Sequence, residues 1–277
     1  MRTRDMRDGI VIKSPAEIQM MRRAGEVVAY VLQRVAEACQ PGTTTAELDA
    51  IAEAYARRRG AIPSFKGYKG YPASLCVAVN DEVVHSIPGK RVLREGDIVG
   101  IDFGAYLDGY HADAAITVPV GRVSEEAQRI LRVTEEALHK AIAKARIGNR
   151  VGDIGYAVQS HVEANGYSVV RELVGHGIGR SLHEKPEVPN YGTPGRGPRL
   201  REGMTLAIEP MVNQGAAAVE FAKDAWTVVT ADGKLSAHFE HTVAITRNGP
   251  LILTLPADAG SVRGEGEKTL WRQRHEA

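Results

Sequence analysis

Apolar residues recur at spacings of three and four over Ile18, Met21, Gly25, Val28, Leu32 and Val35, which predicts an amphipathic helix. Its start is spelled out by Ser14-Pro15-Ala16-Glu17. Ser14 can cap, Pro15 suits the first helical position, and Glu17 completes a capping box. Pro41-Gly42 ends the segment. Thr44-Thr45-Ala46-Glu47 repeats the capping pattern and opens a second helix, with Leu48, Ile51 and Tyr55 as its buried face and Gly60 as its stop. The pattern then shifts to short β-rich runs, Leu75 to Val79, Ile98 to Ala105 and Ala114 to Val120. Leu107-Asp108-Gly109 reads as the tight turn joining the last two. Two further helices are expected, from about Glu125 to Arg146, with Ile130, Leu131, Leu138 and Ile142 apolar, and from about Asp153 to Ala164, stopped by Asn165-Gly166. A second strand-rich stretch runs from Ser168 to about Leu255, with Asp232-Gly233 and Asn248-Gly249 as hairpin turn signals. Helix, helix, strands therefore occurs twice, which predicts an α+β fold with an antiparallel sheet rather than a doubly wound one. Residues 1–13 read as a lead-in strand or N-terminal arm, 14–255 as a single domain and 256–277 as a polar, loosely held tail. Gly192 to Pro198, rich in Gly and Pro, reads as a surface loop.

Composition narrows the function classes. The 277 residues carry 35 Lys+Arg against 34 Asp+Glu, a net charge of +1, so no bulk field draws the chain to nucleic acid or to an anionic membrane. No run of about 18 apolar residues exists to cross a bilayer. The start, MRTRDMRDGI, is charged and lacks the apolar core of a signal peptide. Cys39 and Cys76 are too few for a disulfide scaffold or a four-cysteine zinc site. The expectation is a cytoplasmic monomer.

Acids and histidines sit where apolar strand sequence should make them costly. Asp102 lies inside IVGIDFGAY and Asp113 on the returning strand. If the turn centres on Asp108-Gly109, residue 113 faces residue 104, and the two aspartates become diagonal neighbours on one face. A slip of one residue would separate them, and the alternative is then one N-cap-like or turn aspartate and one ordinary surface aspartate. Glu209, between Leu206-Ala207-Ile208 and Pro210-Met211-Val212, and Glu240, between Phe239 and His241-Thr242, pose the same question. Either alone fits a solvent-facing edge; four strand-embedded carboxylates together call for a shared cation. His176 stands between glycines in Gly175-His176-Gly177-Ile178-Gly179, which allows close backbone approach and unusual dihedrals. A lone histidine is more often a satisfied structural residue; His183 shifts that balance, because the linking loop is too Gly-rich for an ordinary core element. Four carboxylates plus one imidazole suit Mn, Fe or Co better than structural zinc. His183-Glu184-Lys185-Pro186-Glu187 is not the zinc-protease helix motif, and no phosphate loop, dinucleotide fingerprint or nucleophile elbow is present.

The ordered set His85, Asp102, Asp113, His176, His183, Glu209 and Glu240 resembles the type I methionine aminopeptidases of bacterial type, with matching strings VNDEVVHSIPG, GDIVGIDFGAYLDGYHADAA, LVGHGIGRSLHEKP, GMTLAIEPMV and WTVVTADGKLSAHFEHTVAIT over roughly residues 11–255. The resemblance implies a pita-bread fold, two pseudo-symmetric α/β halves around a curved antiparallel sheet. It also implies removal of the initiator methionine from nascent polypeptide N-termini when the second residue is small. Two divalent metal ions (Co, Mn, Fe or Zn) and a bridging hydroxide are implied too. Asp102 would hold one ion, Asp113 and Glu240 would bridge, and His176 and Glu209 would hold the other. Glu209 would also shuttle a proton, and His85 and His183 would touch substrate. Tyr68, Tyr71, Cys76 and Trp226 match the methionine pocket, and Phe65 and Leu182 occupy pocket positions with residue types that differ from those the resemblance leads one to expect. Lys185 departs from the acid expected after His183-Glu184.

Two other readings stay open: an Xaa-Pro or general dipeptidase using the same metals, and a non-enzymatic binding module. The Phe65–Tyr71 cluster argues against the first, and the intact ligand set against the second. Arg196, Arg199 and Arg201 form a short basic stretch that fits transient contact with ribosomal RNA phosphates, or is simply a solvated loop.

Overall fold

The computed structural model describes residues 7–257, so parts of the arm (1–6) and of the tail (258–277) lie outside the described residues. The first half opens with α1 (Pro15–Ala38) and α2 (Thr45–Arg58). Both predicted capping boxes are formed: Ser14 and Thr44 accept from the backbone N–H of Glu17 and Glu47, whose carboxylates accept in return. Strands β1 (Ile62–Pro63), β2 (Cys76–Val79), β3 (Glu82–Val84), β4 (Ile98–Leu107) and β5 (Tyr110–Pro119) follow. The second half repeats the plan with α3 (Glu125–Lys144) and α4 (Val151–Ala164). Its strands are β6 (Ser168–Val169), β7 (Gly175–Gly177), β8 (Glu184–Val188), β9 (Thr205–Ile208) and β10 (Met211–Asn213). They continue with β11 (Val219–Phe221), β12 (Val228–Thr230), β13 (Ser236–His238), β14 (Glu240–Thr246) and β15 (Gly249–Ile252).

Nine strands form the main sheet in the order β1-β4-β5-β14-β9-β7-β8, with β2 on β4 and β15 on β14, and all of its pairings are antiparallel. The halves meet where β14, from the second, pairs with β5, from the first. Period-two alternation divides the faces. Val99, Ile101, Phe103, Ala105, Ala112, Ala114 and Val118 pack with the apolar stripe of α1 and α2 in one core. A second core joins α3 and α4 to Leu206, Ile208, Val243 and Ile245. Helices thus cover one face of the sheet, and the residues between those core positions point to the other.

Three expectations are corrected. The buried face of α2 is Leu48, Ala52 and Ala56; Ile51 and Tyr55 are only half-buried, because small alanines let the helix lie close to the sheet. Asp232-Gly233 is a turn but not a hairpin, since β12 joins a sheet with β3 and β11 while β13 pairs with β10. Asn248-Gly249 does close a hairpin, with Thr246 opposite Gly249. The described part of the arm is not a strand: residues 10–13 run on without ladder pairing, held by Lys13 N donating to Gly203 O. Gly192 to Pro198 is largely exposed, as a surface loop should be. Among the described residues no helix is long and apolar enough to cross a membrane.

Candidate metal centre and adjoining apolar cluster

The β4–β5 hairpin has the register that the turn at Asp108-Gly109 demands, with Gly104 opposite Asp113 and Asp102 opposite Ala115. The ladder then carries both rows across the sheet. One row is Cys76, Asp102, Ala115 and Glu240, through β2, β4, β5 and β14. Beside it run Gly104 and Asp113, then Thr242, Ala207 and His176 through β14, β9 and β7. Thr242 Oγ1 ties its row together, accepting from Asp113 N at 2.9 Å and donating to Asp113 O at 2.8 Å. Rows two residues apart share a face, so Asp102, Asp113, His176 and Glu240 converge, spaced by alanine, glycine and threonine that leave room between them.

Ligand atoms of Asp113, His176 and Glu240 lie within 4.8 Å of one another, and all three residues are buried. Glu209 joins them, 3.6 Å from His176 Nε2 through Oε1. It is not in a strand as expected: it sits in the break between β9 and β10, where Pro210 has no N–H to continue a ladder. Among the described residues, Asp102 Oδ1, Asp113 Oδ1 and Glu240 Oε1 are buried with no hydrogen-bond partner.

These carboxylates repel. Burial pushes Asp102 up to about 7. Burial, then the charges of Glu240 and Asp102, hold Asp113 well above its usual range. Glu209 and Glu240 are raised by burial first and by neighbouring carboxylates second. Orphaned oxygens, crowded anions and one imidazole fit divalent cations, which replace the missing hydrogen-bond donors with charge. Burial pushes His176 down to about 4, so it is neutral and able to ligate; its Nδ1 stands 2.8 Å from Gly177 O, leaving Nε2 facing the acids.

The glycines beside His176 act by close approach, not unusual dihedrals, for neither has a positive φ. A Cβ on Gly175 would lie 2.5 Å from Ala207 O, and one on Gly177 2.2 Å from Lys185 O.

The remaining expected residues gather next to this cluster. Phe65, Tyr71, Cys76 and Leu182 belong to one buried apolar group, with Tyr68 and Trp226 packed against it. Tyr71 meets Trp226 edge-on at 5.1 Å, and its hydroxyl donates to Leu75 O and Ser86 O. Cys76 faces Asp102 across the ladder. His183 is exposed in the irregular segment between β7 and β8; its ring lies 4.1 Å from that of His176 and stacks on Tyr68, whose hydroxyl is 2.9 Å from its Nδ1. Loss of water from the ring faces stacked against Tyr68 and His176, then the charge of His176, pushes His183 down to about 3 although the residue as a whole is exposed. His85 follows β3 with φ of 59°, a left-handed conformation that re-aims the chain there, and burial lowers its pKa. Sequence reasoning missed His238. It lies two positions before Glu240 and 3.9 Å from Glu209 Oε2, and strand alternation over His238-Phe239-Glu240 could have flagged it.

The sequence profile of metallopeptidase family M24 matches residues 19–247. The chain belongs to that family. It is 57% identical over 246 residues to a methionine aminopeptidase of Clostridium perfringens, covering 89% of this chain and 99% of that one. A crystal structure of a methionine aminopeptidase from Thermotoga maritima superposes with a TM-score of 0.88 at 48% identity, over 89% of this chain and 99% of the other. A prolidase structure from Pyrococcus horikoshii shares the fold at a TM-score of 0.74 and 26% identity, over 94% of this chain but 66% of the prolidase. The fold is therefore the pita-bread fold, and the chain groups with the metallohydrolases of the methionine aminopeptidase type rather than with the prolidases.

Proposed function

We propose that the chain removes the initiator methionine from nascent polypeptides whose second residue is small, and does so in the cytoplasm. The observation that carries this reading is the juxtaposition of a carboxylate–imidazole cluster, with orphaned carboxylate oxygens, and a partly aromatic apolar cluster that meets it at Cys76, opposite Asp102. Asp102, Asp113, His176, Glu209 and Glu240 would hold two divalent ions drawn from Mn, Fe, Co or Zn. Such ions supply Lewis acidity and bring the pKa of a water toward neutrality.

The chain's own residues do the rest. Phe65, Tyr71, Cys76 and Trp226 offer a buried, partly aromatic surface, which suits a flexible thioether. Tyr68 holds His183 through Nδ1, so Nε2 is the nitrogen left for the peptide. Being neutral, His183 presents a hydrogen bond to the scissile carbonyl rather than a full charge. Glu209, at the break after β9, takes a proton and passes it to the leaving amine. His85, held off the end of β3, orients the peptide amide. Arg196 and Arg199, exposed on their loop, are the side chains that would meet ribosomal RNA phosphates.

Metal-stripped protein given Mn, Fe, Co or Zn, with Met-Ala-Ser and Ala-Pro peptides in parallel, tests the reading. Metal-restored methionine release from Met-Ala-Ser alone is expected. Cleavage of Ala-Pro alone would move the chain to the prolidase type, and no cleavage with any metal would overturn the proposed activity.

A further inference from the structure

His183 belongs to no helix or strand and is exposed, so its ring needs anchors outside the sheet. The next residue supplies one. Glu184 opens β8 opposite Gly177, and its Oε2 receives Lys13 Nζ from the N-terminal arm at 2.5 Å. Oε1 of the same carboxylate accepts from Ser181 N at 3.3 Å, closing the segment on itself. The Lys13 side chain is 2% exposed and that of Glu184 10%. Gly179 makes room for the pair, since a Cβ there would lie 2.5 Å from Lys13 Cε and 2.7 Å from Glu184 Oε1.

The other flank of the same segment is tied to the start of α1. Gly179 O accepts from His111 N. Arg180 donates to the Tyr110 hydroxyl at 2.6 Å, and that hydroxyl donates to Glu17 Oε1 at 2.8 Å. Glu17 is the capping-box residue of α1, whose second oxygen serves Ser14. Residues 13 and 17 therefore grip residues 179–184 from two sides.

A buried ion pair is a poor device for stability, because desolvation offsets most of its Coulomb gain and an apolar pair of like volume does as well. What it fixes is geometry. We propose that Lys13 and Glu184 are positioning residues that hold His183 between Tyr68 and His176, an inference that rests on the methionine-releasing reading of the site.

The test compares Glu184→Gln with the double variant Lys13→Met/Glu184→Gln, which removes both charges of the pair. The single variant is expected to unfold at a lower temperature; the double variant recovers most of that loss. In both, kcat for Met-Ala-Ser falls about tenfold or more, the scale of a misplaced group, while KM and Mn affinity stay within about threefold. The imidazole 15N signals of His183 in metal-free protein move in the double variant, a readout that needs no substrate. A double variant with wild-type kcat and unmoved His183 signals would overturn the proposal, as would loss of Mn affinity in step with kcat. Absence of methionine release by the wild type would instead count against the activity reading and leave the 15N signals to decide the positioning role.

Discussion

Gly177→Ala tests whether the backbone spacing around His176 matters to the site. The added Cβ would stand 2.2 Å from Lys185 O, 2.6 Å from Lys185 C and 3.1 Å from Glu184 C. These are backbone atoms of β8 and cannot swing aside as a side-chain tip would. Restoring ordinary contact requires β7 and β8 to part by about 1 Å, a displacement that costs about a hundredfold when imposed on reacting groups. His176 is the adjacent residue, and its ring touches that of His183. The overpacking should destabilise by about 1–3 kcal/mol, which lowers Tm by roughly 3–10 °C in a domain of this size. Gly89→Ala is the control: it has nothing within 4 Å of an added Cβ and no positive φ, yet follows His85 by four positions. Methionine release and Mn affinity measured by calorimetry should fall by about ten- to a hundredfold in Gly177→Ala. In Gly89→Ala they should stay within about twofold, as for a surface change. If the two variants behave alike, the close approach at Gly177 does not set the place of His176 and the reasoning fails.

Three further outcomes are expected. Adding Mn to metal-stripped protein at about 100 times its Kd should raise stability by roughly 2.7 kcal/mol; Asp113→Asn should abolish that rise, and a persistent rise would place the metal elsewhere. Tyr68→Phe keeps the ring but loses the contact with His183 Nδ1. It should lower kcat by about tenfold with KM little changed; a change confined to KM would make Tyr68 a pocket wall only. Glu53, bonded to Lys66, Arg57 and Ser74, has its carboxyl pulled down to about 2, chiefly by the Lys66 and Arg57 hydrogen bonds. Its stabilisation is full above pH 4.5 and fades as pH falls through about 2, and solvent screening keeps it to about 1 kcal/mol or less. Urea unfolding of Glu53→Gln should therefore match wild type at pH 2 and fall below it at pH 7, and an equal gap at both pH values would contradict this.

Local chemistry accounts for much of what the chain alone determined. The capping boxes at Ser14 and Thr44 need only four consecutive residues, and both form. A turn at Asp108-Gly109 is enough to bring residue 113 opposite residue 104, because a tight hairpin has one register. Isolated acids in apolar runs marked Asp102, Asp113 and Glu240 as anomalies, since burial makes an unpaired carboxylate expensive whatever the fold. Tertiary structure decided everything that joins distant segments. Glu240 reaches Asp113 only because β14 inserts between β5 and β9. No local signal specifies that pairing; it follows from how two helix-covered half-sheets share one seam. The same holds for the Asp232-Gly233 turn, which looks like a hairpin in sequence and instead carries the chain between sheets. Lys13 and Glu184 lie 171 positions apart, and neither stands out in its own neighbourhood. Their meeting is a product of packing, where each charge is tolerable only because the other is already in place.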